Sequence, residues 1–131
     1  MSVQLRMYSF GYHRSGPPAD AHGNGGFIFD CRALDNPGRQ ARYRNSTGLD
    51  GDVRAYLDAD ADAAALVAHA VALLLLTVRR YEQRGFTQVY AAFGCTGGQH
   101  RSVYCAERAA EALRAQGVDV LLEHTEEALW P

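Results

Sequence analysis

The chain has 131 residues, with 13 arginines, no lysine, 15 acidic residues and a formal net charge of -2. A chain of this length buries roughly two-thirds of its unfolded surface, so one domain can form a core without disulfides or bound metal. Binding of nucleic acid through bulk charge needs several uncompensated cations, and the near-neutral balance argues against that class of protein.

Composition also bears on compartment and cofactors. The longest apolar stretch, 63–76, contains His69 and is shorter than the roughly 20 residues that span a bilayer. We expect neither a signal peptide nor a membrane partner. The three cysteines have no Cys-x-x-Cys spacing and no two histidines lie four residues apart, so we expect no disulfide framework, metal site or cofactor. The expected location is the cytoplasm.

Four segments have the residue patterns of β-strands. They are 3–10, 27–29, 88–93 and 118–122. The third is uninterruptedly apolar from Val89 to Phe93, which is typical of a central parallel strand that is covered on both faces. Two long loops, 11–26 and 36–50, separate the early elements, and loops of such length in compact domains are usually functional or disordered.

Three helices alternate with these strands. A short helix is predicted over 52–57, a second begins at Asp60 or Asp62 and ends near Gly85, and a third covers 103–113 before Gly117. The alternation predicts one three-layer α/β domain over residues 1–131, with a small, mostly parallel sheet, helices on both faces and right-handed connections.

The loop from Gly94 to Ser102 has the composition of a phosphate-binding loop. It joins a buried strand to a helix N-terminus, where free N–H groups and the helix dipole favour an anion. Adjacent glycines let the backbone form a cradle, and an arginine fork with two hydroxyls suits phosphate oxygens. The candidate residues are Thr96, Gly97, Gly98, Gln99, His100, Arg101 and Ser102. An ordinary glycine-rich turn with a solvated arginine and a buried cysteine is the alternative interpretation.

Within this loop, the spacing of Cys95, Arg101 and Ser102 resembles the signature of cysteine-dependent phosphatases. In those enzymes the thiolate attacks phosphorus while the loop holds the oxygens. The loop has Gly94 where such enzymes usually carry histidine, and Asp30, Asp35 and Asp50 are the candidates for a general acid. A cysteine that only lines the cradle, or that is simply buried, is the alternative.

Three earlier segments complete a family pattern. They are Ser9-Phe10-Gly11-Tyr12, the stretch from Asp30 to Pro37, and Thr47-Gly48-Leu49-Asp50. Together with the glycine loop, they resemble the C-terminal domain of the RNase adapter protein RapZ family, from about Ser9 to Gly117. The resemblance implies an α/β domain that binds an amino-sugar phosphate such as glucosamine 6-phosphate. Full-length members also contact small RNAs and oligomerise.

The resemblance adds further candidate ligand residues at strand ends, where open α/β sheets bind ligands. They are Ser9, His13, Arg14, Asp30, Arg32, Thr47, Gly48 and Asp50. A structural ion pair with Asp30 is the alternative for Arg32. The chain lacks the Gly-x-x-x-x-Gly-Lys motif of the P-loop kinase-like half of full-length members, so no such domain is expected within it.

These observations favour a binding or sensing domain for a phosphorylated sugar over an enzyme. A cysteine-dependent phosphatase that uses Cys95 and Arg101 is the first alternative, and a small-RNA adapter is the second. The acidic C-terminal segment, 123–127, argues against RNA because its carboxylates repel phosphates. A homo-oligomer and a separate protein partner are both compatible with the sequence.

Overall fold

A sheet of four parallel strands forms the centre of the computed structural model, which describes residues 3–131. The strands are β1 (Gln4–Gly11), β2 (Gly26–Asp30), β3 (Gln88–Cys95) and β4 (Asp119–His124). They lie in the order β2-β3-β1-β4, and each neighbouring pair is parallel. The carboxyl ends of all four strands therefore meet at one edge of the sheet.

Three α-helices connect these strands. They are α1 (Gly51–Asp58), α2 (Ala61–Gln83) and α3 (Arg101–Ala115). The side chain of Asp60, rather than Asp62, caps α2 by accepting from the Asp62 N–H. Within the predicted loop 36–50, two short 3-10 turns occur at Pro37–Arg39 and Ala41–Tyr43, which the sequence analysis did not predict. The single α/β domain with a parallel sheet is confirmed.

The arrangement of layers differs from the prediction in one respect, because the helices lie on one face of the sheet and not on both. α2 packs against α3, and α1 contacts both. The connections from β2 to β3 and from β3 to β4 cross the sheet in the same direction. Right-handed crossovers that run in the same direction lie on the same face. The connection from β1 to β2 runs the other way, and segment 12–25 covers the opposite face, where Tyr90 Oη donates to Pro18 O.

The main core lies between the sheet and the helices. Leu5 and Met7 of β1 are fully buried there with Val89 and Phe93 of β3, and Leu74 contributes from α2. A smaller aromatic cluster lies on the other face of the sheet around Phe10, Tyr90 and Ala92. Both faces of β1 and β3 are thus covered, as the apolar run of β3 predicted.

Helix α2 is long and apolar enough, by length and composition, to cross a membrane. It has 23 residues, and most of its apolar stretch is not buried. The sequence analysis ended the apolar stretch at residue 76 and expected no membrane span, whereas the helix continues without a break past His69 and Thr77. A core helix meets the same criterion, and Leu74 and Val78 of α2 are buried against the sheet.

Candidate functional site

A cavity of about 170 Å³ lies at the carboxyl edge of the sheet, where β3 ends and α3 begins. Because β3 and β1 are the two central strands, this edge is where a parallel sheet offers a crevice. Residues from the glycine loop and from the first 3-10 turn line the cavity. They are Asn36, Gly38, Cys95, Thr96, Gly97, Gln99, His100 and Arg101. The structure therefore brings five of the seven predicted phosphate-loop residues to one cavity.

Close packing against the end of β1 shapes the glycine loop. A Cβ on Gly98, whose φ is +71°, would lie 2.5 Å from Glu126 Cγ and 2.7 Å from the Gly11 nitrogen. A Cβ on Gly11 would lie 2.6 Å from the carbonyl carbon of Gly97. No side chain fits between these backbones, so the loop requires glycine at these positions.

Arg101 is buried at the first position of α3, with 5% of its surface exposed. Its Nη1 donates to Arg32 O at 2.8 Å and Leu34 O at 3.1 Å, and its Nη2 lies 3.4 Å from Thr96 Oγ1. The Nε atom has no hydrogen-bond partner among the described residues. Burying a cation without a counterion is costly, so the guanidinium makes the adjoining cavity favourable for an anion.

Cys95 lies at the end of β3 and is among the residues that line the cavity. Its Sγ is 3.1 Å from Ser102 Oγ, and both residues are buried. The Cys95 thiol donates to the Ser102 hydroxyl oxygen in this contact. At Cys31, a hydrogen bond with Cys105 and burial raise the pKa of the thiol well above its ordinary value. Cys95 is among the residues that line the cavity, and Cys31 and Cys105 are not.

Asp30 and Arg32 form an ion pair at the edge of the site. Arg32 Nη2 lies 2.7 Å from Asp30 Oδ2, and the guanidinium stacks 3.9 Å from the ring centre of Tyr12. The side-chain hydrogen bond from Arg32 lowers the pKa of the Asp30 carboxyl. The Arg32 side chain is therefore satisfied by Asp30, while its backbone carbonyl accepts from Arg101.

The Thr47–Asp50 segment supports the start of α3 from behind the cavity. Asp50 Oδ2 accepts from the Thr47 N–H at 2.7 Å, which closes a local turn. A Cβ on Gly48 would lie 2.5 Å from both His100 O and the Tyr104 nitrogen. This close approach explains the glycine, and Thr47, Gly48 and Asp50 do not line the cavity.

Other predicted residues bind neighbouring loops. Gln99 Nε2 donates to Arg44 O and Ser46 O, and His100 Nε2 lies 2.8 Å from Tyr43 O. Both side chains line the cavity while they fix the segment 43–46 beside it.

Ser9 is buried and its side chain binds to the end of β4. Ser9 Oγ lies 2.6 Å from His124 Nδ1, and His124 Nε2 lies 2.7 Å from Glu107 Oε2. Ser9 is fully buried, and it is not among the residues that line the cavity. The chain of hydrogen bonds fixes the end of β4 to α3.

The C-terminal segment holds the glycine loop in place, which the sequence analysis missed. Glu126, 1% exposed, accepts from the Gly11 N–H at 2.9 Å and from the N–H and Oγ of Ser15. Trp130 Nε1 donates to Gly98 O at 3.0 Å. The acidic run that we interpreted only as a repulsive tail thus contains a buried structural carboxylate. The local sequence around Glu126 gives no signal for this role, because its partners Gly11 and Ser15 lie more than 100 residues away.

The ionisation of Glu126 follows from these bonds. Burial opposes the charged form, but donors from Gly11 and Ser15 outweigh it and lower the pKa of the carboxyl. Arg14 contributes a further electrostatic attraction, and its Nε lies 4.0 Å from the position of a Cβ on Gly97. A second arginine is therefore close to the cradle.

No group of three or more histidine, cysteine or acidic side chains within residues 3–131 converges as a metal site would require. The fold and the loop define an α/β domain with a strand-to-helix glycine loop at the carboxyl edge of a parallel sheet. A family model described as the RapZ C-terminal domain matches residues 3–128. The chain belongs to this family, as the resemblance predicted.

Several curated relatives carry the name nucleotide-binding protein. One from Rhodospirillum rubrum is 45% identical over 122 residues, which cover 93% of this chain and 37% of that protein. One from Erythrobacter litoralis is 41% identical over 124 residues, or 94% of this chain and 39% of that protein. One from Xanthomonas axonopodis pv. citri is 45% identical over 115 residues, which cover 88% of this chain and 39% of that protein. The chain thus spans less than two-fifths of these relatives' length.

Proposed function

We propose that this domain binds a phosphorylated sugar, specifically an amino-sugar phosphate such as glucosamine 6-phosphate, with its phosphate on the loop from Gly94 to Ser102. One observation carries the proposal: Arg101 is buried beside the cavity without a carboxylate in contact. A phosphate in the cavity would supply the missing negative charge in a site of low dielectric.

The surroundings of Arg101 support the same ligand class. The cavity adjoins the N-terminus of α3, where the helix dipole favours negative charge. Its volume of about 170 Å³ is below the roughly 300 Å³ at which pockets for whole drug-sized ligands begin. We infer that it takes the phosphoryl group, while the sugar lies at the open edge near Asn36 and the Asp30–Arg32 pair.

Calorimetric titration with glucosamine 6-phosphate, its N-acetyl form, inorganic phosphate and ATP tests this proposal. We expect the amino-sugar phosphate to bind most tightly, and Arg101→Ala to weaken it roughly 10- to 100-fold, as for loss of a charged hydrogen bond. Arg84→Ala, an exposed arginine at the end of α2, is the matched control. Unchanged affinity in a folded Arg101→Ala variant would refute the site. If ATP binds and the sugar phosphates do not, the ligand of this site is a nucleotide, which is the class that the relatives' names suggest.

The Cys95–Ser102 contact favours a second candidate, a cysteine-dependent phosphatase. The Cys95 thiolate would attack phosphorus, the ester oxygen would leave with a proton, and water would hydrolyse the thiophosphate. Asp30, Asp35 and Asp50 are not among the cavity-lining residues, so the structure supports no general acid. Release of phosphate from glucosamine 6-phosphate, abolished by Cys95→Ser with binding retained, would establish the enzyme. We expect no release above background.

A further inference from the structure

The three cysteines of the chain form a buried cluster beside the cavity. Cys31 follows β2, Cys95 ends β3 and Cys105 lies on α3, and all three are free thiols. They belong to the main core, between the sheet and the helices. The Cys31 thiol forms a hydrogen bond with the Cys105 side chain. We call these three residues the thiol cluster.

The register of the sheet places two members of the thiol cluster side by side. Asp30, the last residue of β2, is paired with Gly94 of β3. The next N–H of the chain, that of Cys31, donates to Gly94 O at 2.7 Å, so the parallel ladder continues beyond β2. Cys31 is therefore the neighbour of Cys95 across the two strands.

The two cysteine side chains also lie on the same face of the sheet. Phe29 and Phe93, two residues earlier on each strand, are in register, and their ring centroids are 5.0 Å apart. Side chains alternate between the faces of a strand, so Cys31 and Cys95 project to the face that these two rings occupy. Neighbouring strands lie about 4.8 Å apart, within the roughly 4.4–6.8 Å between Cα atoms that a disulfide spans. The backbone therefore permits a disulfide between Cys31 and Cys95.

The cavity gives a small oxidant access to one member of the thiol cluster. Cys95 lines the cavity, whose volume is about 170 Å³, while Cys31 and Cys105 are fully buried away from it. A water molecule occupies about 30 Å³ in the liquid, so a molecule as small as hydrogen peroxide fits there. The hydrogen bond with Cys105 and burial raise the pKa of the Cys31 thiol. Because the thiolate is the reactive form, an oxidant should attack Cys95 first.

From these observations we propose that Cys95 and Cys31 form a site of reversible oxidation, at which a peroxide converts two thiols into one disulfide. The Cys95 sulfur attacks one peroxide oxygen, the O–O bond breaks, and one water leaves a sulfenic acid on Cys95. The Cys31 sulfur then attacks the Cys95 sulfur, the S–O bond breaks, and the oxygen leaves as water with the Cys31 proton. The two thiols lose two electrons, which the peroxide gains. A dithiol reductant reverses the reaction by thiol–disulfide exchange.

The disulfide would also change the start of α3. In the reduced chain the Cys95 thiol donates to Ser102 Oγ at 3.1 Å, and Ser102 follows Arg101 in the first turn of the helix. A disulfide removes the thiol proton and turns the Cys95 sulfur towards Cys31, so the buried Ser102 hydroxyl loses its donor. We expect the oxidised chain to bind a phosphate beside Arg101 more weakly. This consequence alone rests on the proposed function.

Peptide mapping of the folded chain after treatment with hydrogen peroxide tests the pairing. Trypsin cleaves after arginine, so the three cysteines fall in separate peptides, 15–32, 85–101 and 102–108. We expect the free thiols to fall from three to one, with a disulfide that joins 15–32 to 85–101 within one chain. Dithiothreitol should restore all three. A disulfide that includes 102–108, or the absence of any disulfide in the folded chain, would refute the proposal.

Variants of the thiol cluster test the order of the two steps. Cys31→Ala removes the resolving thiol, so the sulfenic acid on Cys95 should accumulate and react with dimedone. Cys95→Ala should keep its two remaining thiols reduced at the same peroxide concentration, and Cys105→Ala is the control that should still form the disulfide. Circular dichroism checks that each variant is folded. Dimedone added to the parent chain during oxidation needs no variant, and a label on peptide 15–32 before 85–101 would contradict the order.

Calorimetry with glucosamine 6-phosphate on the reduced and the oxidised chain separates this proposal from the proposed function. We expect tighter binding to the reduced chain, with the difference abolished by dithiothreitol. Equal affinity of the two forms would refute the coupling between the disulfide and the cavity. Absence of binding to both forms, with the disulfide between Cys31 and Cys95 formed, would refute the proposed ligand and support the oxidation site.

Discussion

Among single residues, Glu126 has the most consequences for the candidate site. Its buried carboxylate accepts from Gly11 and Ser15 and packs against Gly98, so it joins the end of β1 to the glycine loop. A buried acceptor of several hydrogen bonds is costly to lose, because its donors would then be left unsatisfied. We infer that Glu126 positions the cradle without contacting the ligand.

The substitution Glu126→Gln should lower the free energy of unfolding by about 2–3 kcal/mol at pH 7. The folded pKa of Glu126 lies below its unfolded value, so its contribution is present above the unfolded pKa and is lost as pH falls through the folded pKa. The difference between parent and variant should therefore shrink below about pH 4.3.

Urea unfolding of both proteins at pH 7 and pH 4 measures this difference, with the exposed Glu127→Gln as control. A difference that is the same at both pH values would show that the carboxylate charge is not what stabilises the fold.

The two arginines of the site show how neighbours decide the role of a side chain. Arg32 is paired in bidentate fashion with Asp30 and is half-exposed. Arg101 is buried, and its contacts are two carbonyls and one hydroxyl. Of the two, Arg101 has no carboxylate in hydrogen-bonding contact, which is why we place the phosphate beside it.

At the scale of elements, the site depends on how loops pack against the start of α3. Gly48 approaches the backbone of His100 and Tyr104 so closely that the 47–50 turn and the first turn of α3 form one unit. The N–H of Gly48 donates to Gln99 O at 2.9 Å, which joins the turn to the glycine loop. The geometry of the glycine loop is therefore set partly by a segment that does not line the cavity.

The substitution Gly48→Ala should destabilise the domain by roughly 1–3 kcal/mol, because a Cβ at 2.5 Å from two backbone atoms forces the turn away from α3. Gly51→Ala is the matched control, since a Cβ there meets nothing within 4 Å. At this helical position alanine should be neutral or stabilise by up to about 1 kcal/mol. Chemical denaturation of both variants checks the contrast, and equal stabilities would contradict it.

For the whole molecule, topology determines where function can reside. The two central strands, β1 and β3, both end beside the cavity, while α2 lies along the helical face with its outer side free. The proposed ligand site is consequently built at the strand ends and the start of α3, and no residue of α2 lines it.

Ligand binding should stabilise the folded chain by mass action. At a glucosamine 6-phosphate concentration 100 times its dissociation constant, the free energy of unfolding should rise by about 2.7 kcal/mol. The same concentration should give a much smaller gain in Arg101→Ala, whose affinity is reduced. Thermal or urea unfolding with and without the ligand measures the stabilisation of the parent and of Arg101→Ala. Equal stabilisation of the two proteins would show that the ligand binds elsewhere.

Element types and the family could be predicted from the sequence because they rest on local signals. Apolar periodicity, glycine caps and the strand–loop–helix order around Gly94 to Ser102 are properties of neighbouring residues. The face on which each helix lies could not be predicted, because it depends on the strand order β2-β3-β1-β4. That order fixes the direction of each right-handed crossover.

The sequence by itself thus determined a parallel α/β domain, its family and the loop in which Arg101 lies. Tertiary structure alone decided that Arg32 is neutralised by Asp30, that Glu126 is buried beneath the loop, and that the outer side of α2 is uncovered. These features join residues distant in sequence or depend on what packs around a side chain. Burial and charge pairing arise only when the chain is folded, so no local pattern encodes them.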